Sequence, residues 1–305
     1  MLKTRLFLTV VLSMLLLGMV QAADERIKPF FLAGVQGDDM ATVVAATKQK
    51  LTAAGFGIVG EYSPYADVTI IGVTNGDLIQ AAGETDFGVF GAAQRVTISK
   101  GTDGKMQVAY TNPTYMAYAY RMKGDLADVS AALKQALGMQ QPYGSEKGKT
   151  EKKLRDYQYK WLMPYFYDRL ELASYSSYDA AVKGVEAALA AGKGGVSKVY
   201  RVDLPGKEAT LFGVAISEKA EDECAGDKYI MERIDFKDIK SSGHLPYDIV
   251  VKGKKAYALP AEFRIAISFP DLSMMGKNSF ASIMCAPAAI ESSLTLGAGG
   301  SDSEY

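Results

Sequence analysis

Few side chains in this sequence are of types that do chemistry. Among its 305 residues there is one histidine, His244, and there are two cysteines, Cys224 and Cys285. A single imidazole leaves little scope for a His-based metal site or for the usual acid–base partner of a serine nucleophile. No Gly-x-Ser-x-Gly is present either. Glu218, Glu221, Asp222, Glu223 and Asp227 supply oxygen ligands for a divalent cation, but their spacing is not that of a calcium loop and such runs are usually solvated. Glu84 and Asp86 would be a carboxylate pair for acid–base work only if a cleft faced them together. Met274, Met275, Met284, Cys285 and His244 would suit copper if they converged, although methionines near a helix start are more often core fillers. Gly192-Lys193-Gly194-Gly195 follows a helix instead of opening one, so it lacks the amide-rich N-terminus of a phosphate site. No catalytic residue, metal ligand or cofactor is assigned on these grounds.

The aromatic run Tyr157, Tyr159, Trp161, Tyr165, Phe166 and Tyr167 is more suggestive. Tyr and Trp give large contact area at little cost in rotamer entropy, which marks Tyr157, Tyr159, Trp161 and Tyr165 as candidate contacts for a partner or ligand. The competing reading is that they clamp two domains together, since domain packing also needs anchors.

Charge and the N-terminus bound the compartment. The chain carries 34 Lys+Arg against 35 Asp+Glu, a balance that gives no support to a nucleic-acid partner. Lys3 and Arg5 precede the apolar run Leu6 to Val20, and Val20-Gln21-Ala22 puts small residues where signal peptidase reads. That run is shorter than the roughly 20 residues a spanning helix needs, so residues 1–22 read as a cleavable signal peptide, not an anchor. A periplasmic or secreted mature protein follows, with no stable membrane insertion. In an oxidising compartment the two cysteines are expected to form a structural disulfide, worth about 4 kcal/mol in the chain-entropy model; reactive or metal-binding thiols are the alternative.

The elements that position these residues occur twice. Met40, Val43, Val44, Thr47 and Leu51 line one helix face, closed by Gly55. Adding 138 to each position gives Tyr178, Ala181, Val182, Val185 and Leu189, closed by Gly192. Each helix leads to a Thr-x-x-Gly-Val strand, Thr69–Val73 and Thr210–Val214, and later to the strands from Arg95 and from Asp248. Each copy ends in a helix, the second carrying Pro287, which is expected to kink or restart it.

The first copy, with Gly-Phe-Gly-Ile-Val at 55–59, the strand Val68 to Asp77, Phe87-Gly88-Val89-Phe90-Gly91, Arg95-Val96-Thr97-Ile98 and Val108 to Pro113, resembles the bacterial family known only as domain of unknown function 302. The resemblance covers about residues 30–137; the second copy, about 167–295, follows the layout loosely. It implies a compact fold with an antiparallel-leaning sheet, and no chemistry. Where members often have Pro-Cys before the Arg-Val strand, Ala93-Gln94 stands here, so no thiol role carries over.

The expectation is therefore an α+β protein of two tandem related domains, each a mostly antiparallel sheet with helices packed on one face. The domains fall at 23–139 and 166–296, with a linker holding the aromatic run at 140–165 and a disordered tail at 297–305. As a function class this favours an exported, soluble, non-catalytic binding or accessory module. An unknown small ligand or periplasmic protein would sit in the groove between copies, and the state would be monomer or homodimer. An enzyme with a site between the domains, and an assembly protein pairing through sheet edges, are the alternatives.

Overall fold

Capping side chains set where the helices begin. In the computed structural model, which describes residues 25–158, 164–165 and 167–301, the Asp39 carboxylate accepts from the Thr42 amide and opens α1 (Met40–Ala53). Gly55, in the left-handed region at φ 83°, turns the chain out of it. Val43, Val44, Thr47 and Leu51 are the buried face, as their spacing predicts. Asn75 opens α2 (Gly76–Ala82) and Asn112 opens α3 (Pro113–Ala119); α4 (Ala127–Leu137) then buries Val129, Leu133 and Leu137. α5 (Glu151–Arg155) is a single turn. In the second half, Ser177 caps α6 (Tyr178–Ala190), followed by α7 (Asp227–Ile234), α8 (Ala261–Ser268) and α9 (Ala286–Gly297). Pro287 does restart the chain, sitting in the first turn of α9 after a 3-10 turn at Phe280–Ile283. The stretch Phe280–Gly297 is apolar enough and long enough to pass as a membrane span, but Ile290 and Leu294 place it in the core of the second half.

The strands form two antiparallel sheets, so the α+β expectation holds. The first contains β1 (Phe30–Gln36), β2 (Gly57–Tyr62), β3 (Val68–Thr74), β4 (Gln94–Lys100), β5 (Met106–Thr111) and β6 (Gln141–Tyr143), in the order β2-β3-β4-β5-β1-β6. The second contains β7 (Leu170–Ser174), β8 (Val196–Asp203), β9 (Ala209–Ile216), β10 (Tyr247–Lys252) and β11 (Lys255–Ala258), in the order β7-β11-β10-β9-β8. Matched in chain order, the second sequence of neighbours is the first one read backwards, apart from the added β6. Thr69–Val73 and Thr210–Val214 occupy corresponding strands, β3 and β9. One folding unit is thus present twice.

Register turns that likeness into residue equivalences. Gly72 lies opposite Arg95 and Gly60, while Gly213 lies opposite Asp248 and Tyr200. Arg95 and Asp248 are therefore counterparts, as are Gly60 and Tyr200. Both pairs meet where the units pack. The Arg95 guanidinium donates to both carboxylate oxygens of Asp248 at 2.8 and 2.6 Å, with both side chains fully buried. Tyr200 lies over Gly72 and Gly213, where a Cβ at either glycine would strike its ring, and the backbone of its neighbour Val199 crosses against Gly60.

Each unit also reaches over the other. A 3-10 turn at Gly88–Gly91, just before β4, lies on β9 and β10, and Val89 and Phe90 share a core with Leu211 and Val250. Its counterpart at Ser242–His244, just before β10, lies on β3, β4 and β5. One face of each sheet is covered by its own helices and the other by its sister unit.

Two segments differ from the sequence expectation. The linker drawn at 140–165 contributes structure: β6 pairs with β1, and Leu154 and Tyr157 enter the core. The tail drawn from 297 starts too early, because Gly297 closes α9 and Ala298 is buried, its carbonyl accepting from the Tyr175 hydroxyl. A helix end packed under a tyrosine has partners that composition does not reveal. Residues 1–24 and 302–305 lie outside the described residues.

Arg264 also approaches Asp248, at 3.8 Å, so two buried guanidiniums share one carboxylate. Removing the shared anion should then cost more than removing one cation. Asp248→Asn is expected to lose about 3–5 kcal/mol in urea unfolding, whereas Arg95→Met, which leaves Asp248 beside Arg264, should lose less.

Candidate functional site

Among the places where polar groups join the units are a sealed centre and an open cleft. At the centre, Arg264 donates to the Tyr120 hydroxyl at 2.7 Å and to the carbonyls of His244 and Pro246 at 2.6 and 3.2 Å. Arg95 reaches the same Pro246 carbonyl at 3.3 Å. His244 is fully buried, its ring nitrogens 3.1 Å from Ser268 Oγ and 3.0 Å from the Tyr247 hydroxyl. Burial, then the Arg264 and Arg95 charges, hold its pKa well below the usual histidine range, so the ring is neutral. This network positions main chain and is closed to a substrate.

The cleft is built by three loops. One wall is β6 with Gly144–Glu146; the other is formed by residues 234–241 after α7 and 269–278 after α8. Its volume is about 520 Å³, in the range of small-molecule sites. Tyr143, Ile234 and Phe269 form a buried floor, Ile239 and Leu272 are half-buried, and Phe236 stands 52% exposed at the mouth. A phenyl ring so placed in the loop Asp235-Phe236-Lys237-Asp238 has no packing reason to be there.

Hydrogen bonds across the cleft hold its walls apart. The Tyr143 hydroxyl donates to the Lys240 carbonyl at 2.8 Å, and the Gln107 amide donates to the Asp238 carbonyl at 2.9 Å. At the other end Asp271 accepts from Ser145 Oγ at 3.3 Å and from the Glu146 amide at 2.6 Å. Asp235, also lining the cleft, accepts from the Ser241 amide with both oxygens. Burial pushes its pKa up to about 6, against the pull of that amide and of Lys240.

A wider depression, about 1030 Å³, lies on the first unit. Two of its arginines are already paired, Arg155 with Glu151 at 2.7 Å and Arg121 with Asp156 at 3.0 Å, and a larger share of its lining is polar than in the cleft. The inter-unit cleft is the better candidate.

The residues singled out in the sequence do not converge on it. Tyr157 is buried, its ring edge-on to Phe263 and its hydroxyl 3.1 Å from the Ala266 carbonyl, so it joins α8 of the second unit to the first and is closed to a ligand. Tyr165 stacks on Tyr167 at 4.9 Å between ring centres, away from the cleft. Tyr159 and Trp161 lie outside the described residues. Cys224 and Cys285 form a disulfide, with Cα atoms 5.9 Å apart, tying the acidic loop to the start of α9. Glu84 and Asp86 point to different partners, Lys123 and the pair Lys252 and Arg169. Of the acidic loop, Glu218 pairs with Lys228, Asp222 caps the turn at Cys224, and Asp227 is buried against the Tyr62 hydroxyl at 3.2 Å. The copper-type set is likewise dispersed, with Cys285 oxidised, His244 sealed in and Met275 and Met284 exposed.

Comparison of the chain with family models, with curated proteins and with solved structures yields no match.

Burial pushes the Asp227 carboxyl up to about 8, although the Ile216 amide and the Tyr62 hydroxyl favour its charged form. A carboxyl with a raised folded pKa binds its proton more tightly folded than unfolded. Its contribution is therefore present at low pH and is lost as pH rises from about 4 through about 8. Asp227→Asn should become progressively more stable relative to the native sequence over that window, by up to about 1.4 kcal/mol per pH unit. Thermal or urea unfolding at pH 5 and pH 8 reads the difference; a parallel pair of curves would contradict it.

Proposed function

We propose that this is an exported, non-catalytic binding protein whose cleft between the two units takes a small molecule. The observation that carries the reading is the cleft itself, apolar at its floor, open at its mouth, and braced by cross-unit hydrogen bonds at both ends. A braced site is preorganised, so a ligand entering it loses little affinity to ordering the protein.

Binding is favoured over catalysis because the titratable groups are either sealed in or already hydrogen-bonded to main chain. His244 and Asp227 are walled in by packing, and both Asp235 and Asp271 already accept from backbone amides. Export is supported by the basic start and apolar run at residues 3–20 and by the Cys224–Cys285 bond, which an oxidising compartment maintains. The resemblance of the first unit to the domain of unknown function 302 family adds an expectation of fold and none of activity.

Native mass spectrometry on protein purified from its own periplasm tests all of this at once. The expected species starts at Ala23, is two hydrogen atoms lighter than the reduced chain, and retains a small-molecule adduct. Phe236→Glu, at an exposed position, should keep the same N-terminus and disulfide, differ in mass only by the substitution, and lose the adduct. An adduct held equally by the variant would move the site away from this cleft.

A further inference from the structure

We infer that the cleft is built for an amphiphilic organic anion, an apolar body of about two rings or a medium alkyl chain carrying one carboxylate or sulfonate. This rests on the binding role proposed above and adds the class of ligand. The apolar part of the argument is the floor of Tyr143, Phe269 and Leu272 with Phe236 exposed beside it. A solvent-facing phenyl ring over a buried apolar floor gains about 25 cal/mol per Å² from whatever apolar surface covers it.

The polar part is which hydrogen-bonding groups are still free. Lys28, Lys237 and Lys277 line the same cleft, and none of their ammonium groups has a hydrogen bond or ion pair among the described residues. The facing carboxylates are Asp235, Asp271 and Glu146. Asp235 is occupied by the Ser241 amide, and Asp271 by Ser145 and the Glu146 amide. Among the described residues Glu146 alone of these carboxylates accepts no hydrogen bond through its side chain. All three keep their charge, but the groups around the apolar floor left without a partner are mainly the lysine donors, and the ligand group complementary to those is an anionic acceptor. In the wide depression on the first unit, Arg121 and Arg155 already hold carboxylates.

The test uses two fluorescent probes of similar shape, anilinonaphthalene sulfonate and the uncharged phenylnaphthylamine, titrated into the intact folded protein at low ionic strength. The sulfonate is expected to bind more tightly, and to weaken as salt is added. Lys237→Glu/Lys277→Glu, both exposed sites, should weaken the sulfonate about tenfold and leave the neutral probe within about twofold. Phe236→Ala should weaken both probes. Unchanged unfolding midpoints for the variants show that the readout is binding and not loss of fold. If the lysine variant binds the sulfonate as the native protein does, the anionic class is overturned while the cleft stands. If neither probe binds the native protein, or both ignore Phe236→Ala, the binding role falls with it.

Discussion

Arg95 and Asp248 are the same position of a repeated unit, and they carry opposite charges. Everything about how the halves meet follows from that. Were the first unit to pack on a copy of itself, the same geometry would bring Arg95 against Arg95; were the second to do so, Asp248 would face Asp248. Buried like charges at hydrogen-bonding distance are prohibitive, whereas in the mixed pair one guanidinium nitrogen of Arg95 donates to both oxygens of Asp248. Gly60 and Tyr200 apply the same logic to volume. One tyrosine fills the space over Gly72 and Gly213, and its counterpart must be a glycine because the backbone of β8 occupies the place of any side chain. Charge and size are both complementary only in the mixed pairing, so the two units form a fused pseudo-symmetric dimer that specifies its own partner.

The pairing also explains where the core lies. A sheet with helices on one face leaves the other in need of cover. Here the cover is reciprocal, the turn before β4 lying on the second sheet and the turn before β10 on the first. Hydrophobic burial is therefore continuous across the junction, with Val250 grouped with the first core and Ile70 with the second. The disulfide belongs to the second unit alone, whose long acidic loop has no helix of its own to hold it against α9.

Much of this was legible in the residues. The helix faces, the Gly55 and Gly192 stops and the Thr-x-x-Gly-Val strands are local signals, set by caps and periodicity, and they placed both units. The buried pair was missed because an arginine in a strand reads as solvent-facing unless its counterpart is examined. Opposite charges at matched positions of a repeat, Arg95 and Asp248, were the available signal. For Tyr157 the aromatic run leaves two readings, a ligand contact and a clamp between domains, and the wall supplied by Phe263 makes it the clamp. β6 was read as linker since three residues with a proline carry almost no pattern, and their strand state comes from the edge of β1. A groove between the copies was expected, but the lining of the cleft was not legible: it comes from three loops remote in sequence, of which only Phe236 stands out in its polar context.

Pseudo-symmetry finally argues for where a binding site can arise. The repeated parts are consumed in covering one another, so a site on one side must be made of what the units do not share. The cleft is lined by such pieces: β6, which has no counterpart in the second sheet, and the loops at 234–241 and 269–278. At the corner related by the pseudo-two-fold, the short loop after α2 brings Asp86 onto Lys252 and Arg169, and Arg169 lies over the rings of Phe87 and Tyr257. That corner is closed by ion pairs and cation–π contacts. Where the second unit's loops are longer, the same corner stays open and presents a phenyl ring and free ammonium groups to solvent. The difference opens one corner and seals its twin, and the open one is where the binding role proposed above places its ligand.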